Sequence, residues 1–118
     1  VSVQPLAVER TSRDGVETLV VEGEVDIVTA SRLLSVLNSS VAEAIKAVVV
    51  DLSQVDFMDS TGLALLINAN RRLSVRRKGF AVVCPPGPLW RVFEITDMVD
   101  TLHVCPDLES AARASLPA

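Results

Sequence analysis

The stretch "KAVVVDLS", Lys46 to Ser53, constrains the fold more than any other part of the chain. It is a continuous apolar run with β-branched residues, ended by polar ones. A strand with one wet face alternates apolar and polar positions. A run that does not alternate fits a strand covered on both faces, which implies a parallel sheet with helices packed on it. Parallel neighbours need crossover connections, so the rest of the chain should supply helices between strands.

The flanking sequence meets that demand. "SRDG" (Ser12 to Gly15) carries the Asp-Gly signal of a tight hairpin, and "VETLVVEG" (Val16 to Gly23) reads as its returning strand. Upstream, Val3 and Val8 flank Pro5, as in an edge strand where a missing N–H is harmless. From Thr29 the period changes. Leu33, Leu34, Leu37 and Val41 recur at helical steps, which predicts an amphipathic helix from Thr29 or Ala30 to about Ala44, with Asp26 or Thr29 able to cap it. Leu63, Leu66, Ile67 and Leu73 share the face of a second helix, and Gly79 predicts its stop near Lys78. "FAVVC" (Phe80 to Cys84) is another strand. "PPGP" then breaks the chain before a short helix around Leu89 to Phe93, a strand at "TLHV" (Thr101 to Val104) and a last helix from Asp107 to about Ser115. The order ββαβαβαβα contains no internal linker or repeat. It predicts one α/β domain over residues 1–118, a hairpin leading into right-handed crossovers. The sheet should be mixed, mostly parallel, of four to five strands, with about four helices.

Composition narrows the function. The chain has 118 residues, 49% of them hydrophobic, enough for a single core. A net charge of −4 argues against a nucleic-acid binder, which presents a basic face to phosphates. The longest apolar runs fall far short of the roughly 20 residues of a spanning helix. The start "VSVQPLAVER" also lacks the basic-then-apolar plan of a signal peptide. The expectation is a soluble, cytoplasmic protein with no metal or cofactor. Cys84 and Cys105 have neither metal-ligand spacing nor the density of a secreted disulfide scaffold. They read as reduced, half-buried thiols, or as a redox pair if both lie at the carboxyl ends of neighbouring strands and approach within bridging range.

The stretch "VDFMDSTGLALL" (Val55 to Leu66) places Asp59, Ser60, Thr61 and Gly62 at a strand-to-helix junction, where sites form in parallel sheets. Phe57 and Met58 read as the apolar anchors of that junction. A serine nucleophile needs a general base within hydrogen-bond reach. The only histidine, His103, falls in a predicted strand core, and no G-x-S-x-G elbow surrounds Ser60, so a serine hydrolase is disfavoured. Asp51, Asp56 and Asp59 raise the question of a metal or phosphoacceptor aspartate. No lysine or second acidic strand end completes one, and Asp51 reads as a strand end and Asp56 as a loop residue. No phosphate-binding G-x-x-x-x-G-K-[ST] loop occurs either. Two readings of the hydroxyls stay open. Asp59 or Ser60 caps the helix, or an exposed Ser60 receives a group from another protein, its phosphate meeting free N–H groups and the positive helix end.

"GEVD" (Gly23 to Asp26), Thr29 and Ala30, and "VVVDLSQVDFMDSTGLALL" together resemble the STAS domain, specifically the stand-alone anti-sigma factor antagonists of bacteria. The likeness spans nearly the whole chain. Its most specific part is the G-E-[LV]-D turn followed about thirty residues later by "FMDSTGL". The resemblance implies a protein that is not an enzyme. Its unmodified form binds an anti-sigma factor and frees a sigma factor for transcription. The same anti-sigma factor acts as a serine kinase on the antagonist, and a phosphatase resets it. Carried over, the phosphoacceptor is Ser60, Thr61 is its neighbouring hydroxyl, and Asp59 is the flanking acid. Gly62 keeps the helix start open, and Asp26 joins the partner-binding surface of what is expected to be a monomer. An alternative is a sensory or scaffold STAS module without phosphorylation, or one under redox control through Cys84 and Cys105.

Other residues have two readings each. Leu65 is covered by a neighbouring helix or exposed to a partner. Arg71, Arg72, Arg76, Arg77 and Lys78 form a solvated helix end or a docking patch. Leu89, Trp90 and Phe93 pack, or Trp90 anchors an interface.

Overall fold

The structure is a computed structural model that describes residues 6–116. Five strands form one sheet in the order β1-β2-β3-β4-β5, with β1 (Ala7–Arg13) antiparallel to β2 (Val16–Val25). β3 (Ala47–Met58), β4 (Gly79–Val83) and β5 (Val104–Cys105) continue in parallel. The intervening helices are α1 (Ala30–Glu43), α2 (Ser60–Val75) and α3 (Pro88–Ile95), with α4 (Leu108–Ser115) last. The mixed, mostly parallel sheet expected from the apolar run is therefore present. The hairpin turns at Asp14 and Gly15, both with positive φ. Val3 and Pro5 lie outside the described residues.

The all-apolar run of β3 is explained by its two faces. Val48, Val50 and Leu52 join the large cluster under α1, α2 and α3, where Leu33, Leu37, Leu66, Leu73 and Phe93 are fully buried. Val49 faces the other way, into a small cluster with Ala81, Val83 and Ala111 of α4. Leu65 and Trp90 are half-buried and pack against the large cluster. Among the described residues no helix is long and apolar enough to cross a membrane.

Four sequence expectations need correction. β3 does not stop at Leu52 but runs to Met58, so Asp51 and Asp56 are strand residues rather than a strand end and a loop. Helix α2 ends at Val75, not near Lys78. The left-handed position after it is taken by Arg77 (φ 59°), with the Lys78 N–H returning to the Leu73 carbonyl at 2.9 Å, and Gly79 already belongs to β4. The strand expected at Thr101–Val104 is only Val104–Cys105, and His103 sits exposed in the preceding turn with φ 50°. Its Nδ1 lies 2.9 Å from the Phe80 carbonyl, at the start of β4. The basic run is also more than a solvated end. Arg76 donates to the Val41 carbonyl at 3.2 Å and Lys78 to that of Ala44, so both cover carbonyls at the end of α1.

Candidate functional site at the start of helix α2

Asp59 is the N-cap of α2. Its Oδ1 accepts from the N–H of Thr61 at 2.9 Å and of Gly62 at 3.4 Å, satisfying donors that a helix start would otherwise leave unpaired. Ser60 is the first helical residue and its side chain is exposed, whereas Thr61 is half-buried. The cap reading and the acceptor reading thus fall on different residues. Because Asp59 already holds the N–H groups of Thr61 and Gly62, a group on Ser60 would meet the helix dipole and a neighbouring carboxylate, not the free donors expected from sequence.

Gly62 has a different role from the one expected. It is buried, and a Cβ there would run into Met58 and lie 2.8 Å from Cγ1 of Val25. The glycine lets the helix start settle onto the sheet rather than opening space for a visitor. Met58 is buried beneath it, as an anchor should be. Phe57 does not anchor the junction, for it remains 49% exposed.

Asp26 repeats the Asp59 design one element earlier. Its Oδ1 accepts from the N–H of Val28 at 2.9 Å and of Thr29 at 3.0 Å, while the Thr29 hydroxyl donates to the Glu24 carbonyl at 2.8 Å. Thr29, at the N-cap position of α1, makes no side-chain cap of its own. The two starts are joined: the Asp59 N–H donates to the Val25 carbonyl at 3.1 Å. Asp26, Asp59, Ser60, Thr61 and Gly62 therefore come together at one end of the sheet.

Other candidates lie elsewhere. β3 ends just before Ser60, while the Phe80 carbonyl that holds His103 is at the opposite, starting end of the parallel strands. That distance along the sheet removes His103 as a base for Ser60. Cys84 and Cys105 do sit at neighbouring strand ends, with the Cys84 N–H donating to the Cys105 carbonyl at 2.8 Å. Register pairs Cys105 with Val83, however, and the pleat sends the next residue to the other face. Cys84 is buried in the large cluster and Cys105 packs against the small one, so the sheet stands between the two thiols. Contrary to the redox-pair expectation, Cys84 and Cys105 are not placed to bridge. Burial pushes the Cys84 thiol up to about 11, and burial followed by the charge of Asp107 raises that of Cys105.

Comparison with known proteins supplies the family. The STAS domain family matches residues 7–111. This chain is a STAS domain protein. The STAS chain is 32% identical over 99 residues to an anti-sigma-B factor antagonist of Staphylococcus aureus, covering 84% of this chain and 92% of the relative. Its fold superimposes on the crystal structure of an anti-sigma factor antagonist from Mycobacterium paratuberculosis with a TM-score of 0.81 and 31% identity, over 93% of each chain. An anti-sigma-factor antagonist (STAS) domain protein from Planctomyces limnophilus shares the fold at 16% identity, with a TM-score of 0.76 over 92% of this chain and 96% of that one.

Proposed function

We propose that this STAS protein is an anti-sigma factor antagonist, a binding module without catalysis, switched by phosphorylation of Ser60. The observation that carries the proposal is the split of labour at the α2 start. Asp59 does the capping and Gly62 does the packing, and the exposed Ser60 hydroxyl makes no hydrogen bond among the described residues. The unmodified surface formed by Asp26, Asp59, Ser60 and Thr61 binds the anti-sigma factor, and the sigma factor is released for transcription. The partner is a serine kinase that transfers a phosphoryl group from ATP to the Ser60 hydroxyl, and a phosphatase removes it by hydrolysis. The chain acts as a monomer.

The switch is electrostatic. A phosphoserine adds close to two negative charges at pH 7. It would stand beside Asp59 and, across the Asp59–Val25 hydrogen bond, near Asp26. Burying a dianion next to carboxylates under a partner costs desolvation as well as repulsion. About 3 kcal/mol would weaken binding roughly a hundredfold. The test is to compare Ser60→Ala with Ser60→Asp against the purified anti-sigma factor in the presence of ATP. Ser60→Ala should stay bound and Ser60→Asp should bind tenfold or more weakly. Equal affinities would remove the charge switch.

A further inference from the structure

The end of the sheet that carries Ser60 also holds large apolar side chains in solvent. Ile27 and Val28, in the turn between β2 and α1, are 80% and 73% exposed, and Phe57, near the end of β3, is about half exposed. Register brings them to one place. Glu24 pairs with Phe57 and Val25 with Met58, immediately before the turn, and Asp59 N–H to Val25 carbonyl sets Ser60 beside it. The turn itself is made by Asp26 accepting backbone N–H groups, which any residue but proline would donate, so local geometry does not call for Ile or Val there. Grouped apolar side chains of this kind mark an interaction surface.

Charge says what kind of partner fits. Glu24 and Asp56 are exposed beside Phe57, and Asp26 and Asp59 are half-buried with every recorded hydrogen bond on Oδ1, leaving Oδ2 unbonded among the described residues. Arg32 in the first turn of α1 is the nearest cation in sequence, and the basic run from Arg71 to Lys78 lies at the far end of α2. We infer that Ile27, Val28 and Phe57 are the affinity anchors for the anti-sigma factor, whose facing surface is an apolar depression flanked by lysine or arginine. This rests on the proposed function and extends it. The acidic rim sets register and encounter rate, while the apolar residues supply the tightness. A second copy of this chain fits poorly, because its carboxylates would oppose these.

The test is titration calorimetry of the purified anti-sigma factor, without ATP, against the wild-type protein, the double variant Ile27→Ser/Val28→Ser and Phe57→Ser. Thermal melts serve as the check that each variant is folded. The expected result is a loss of about thirtyfold or more for the double variant, a loss of about tenfold for Phe57→Ser, and wild-type affinity that falls as salt is raised. Wild-type binding with the double variant within twofold of it would overturn the inference while leaving the proposed function standing. Salt-independent binding would overturn the cationic half. No binding by the wild-type protein would remove the proposed function and the inferred occupant together. A wild-type dimer that Ile27→Ser/Val28→Ser dissolves would assign the surface to a second copy instead.

Discussion

The N–H of Asp59 donates to the carbonyl of Val25 at 3.1 Å, and this one bond fixes the start of helix α2 against the end of strand β2. It brings the turn of Asp26 and the helix start of Ser60 to the same edge of the molecule. What happens to either carboxylate should therefore be felt first as stability and only then as binding.

The caps give the first expectation. Asp59→Ala removes the acceptor for two N–H groups, and Asp26→Ala does the same at the preceding turn. Asp59→Ala should cost about 1 kcal/mol, the usual worth of a helix cap, and Asp26→Ala about 1 kcal/mol for the turn hydrogen bonds it removes. Urea unfolding measures it. A loss of binding to the anti-sigma factor with no loss of stability would show that the carboxylates serve the partner alone.

Gly62→Ala tests the close approach of α2 to the sheet. In an open helix, alanine would gain about 1 kcal/mol over glycine. Here the added methyl meets Met58, with Sδ at 2.9 Å, and Val25 Cγ1 at 2.8 Å. Overpacking of this kind costs roughly 1–3 kcal/mol, so a net destabilisation should appear as a lower melting temperature. A variant more stable than the wild-type protein would contradict the role given to Gly62.

The two thiols should act separately. Under mild oxidation the monomer should show no loss of two hydrogens by mass, because Cys84 and Cys105 face opposite sides of the sheet. An alkylating reagent should reach the half-exposed Cys105 before the buried Cys84. The Cys84 pKa, raised by burial, also sets a pH window. The folded state holds its proton up to about 11 while the unfolded thiol loses it near 9.0. The stability linked to this group is therefore whole below about pH 9 and is lost as pH rises towards 11, by up to roughly 3 kcal/mol. Cys84→Ala should flatten that part of the curve, and an unchanged slope would count against it.

How much of this was legible in the sequence depends on local signals. The run at Lys46–Ser53 disclosed the doubly covered strand, and the Asp-Gly pair disclosed the hairpin. The second half of β3 was hidden by its register. Two shifts against β2 insert extra residues into β3, so the buried positions Leu52, Val55 and Met58 recur every third residue, where a strand read by alternation would look finished. The end of α2 was misread because glycine is the usual left-handed residue after a helix and Arg77 takes that place. At the site, the motif "DSTG" marks the helix start at Asp59 and Ser60, where the structure also has it, but spacing does not show that Gly62 faces inward. The sequence pattern assigns Ile27 and Val28 no role and reads Phe57 as a packing anchor, whereas all three are exposed. Apolar residues in a polar turn were the available signal.

The central claim is that Ser60 receives a phosphoryl group and that the charge releases the partner. The direct measurement incubates the protein with the anti-sigma factor kinase and ATP, maps the phosphate by mass spectrometry, and compares the affinity of the purified phosphorylated and unmodified forms. The account predicts phosphate on Ser60 and binding weaker by tenfold or more. Phosphate found away from both Ser60 and Thr61, or a Ser60-phosphorylated form that binds as tightly as the unmodified one, would contradict it.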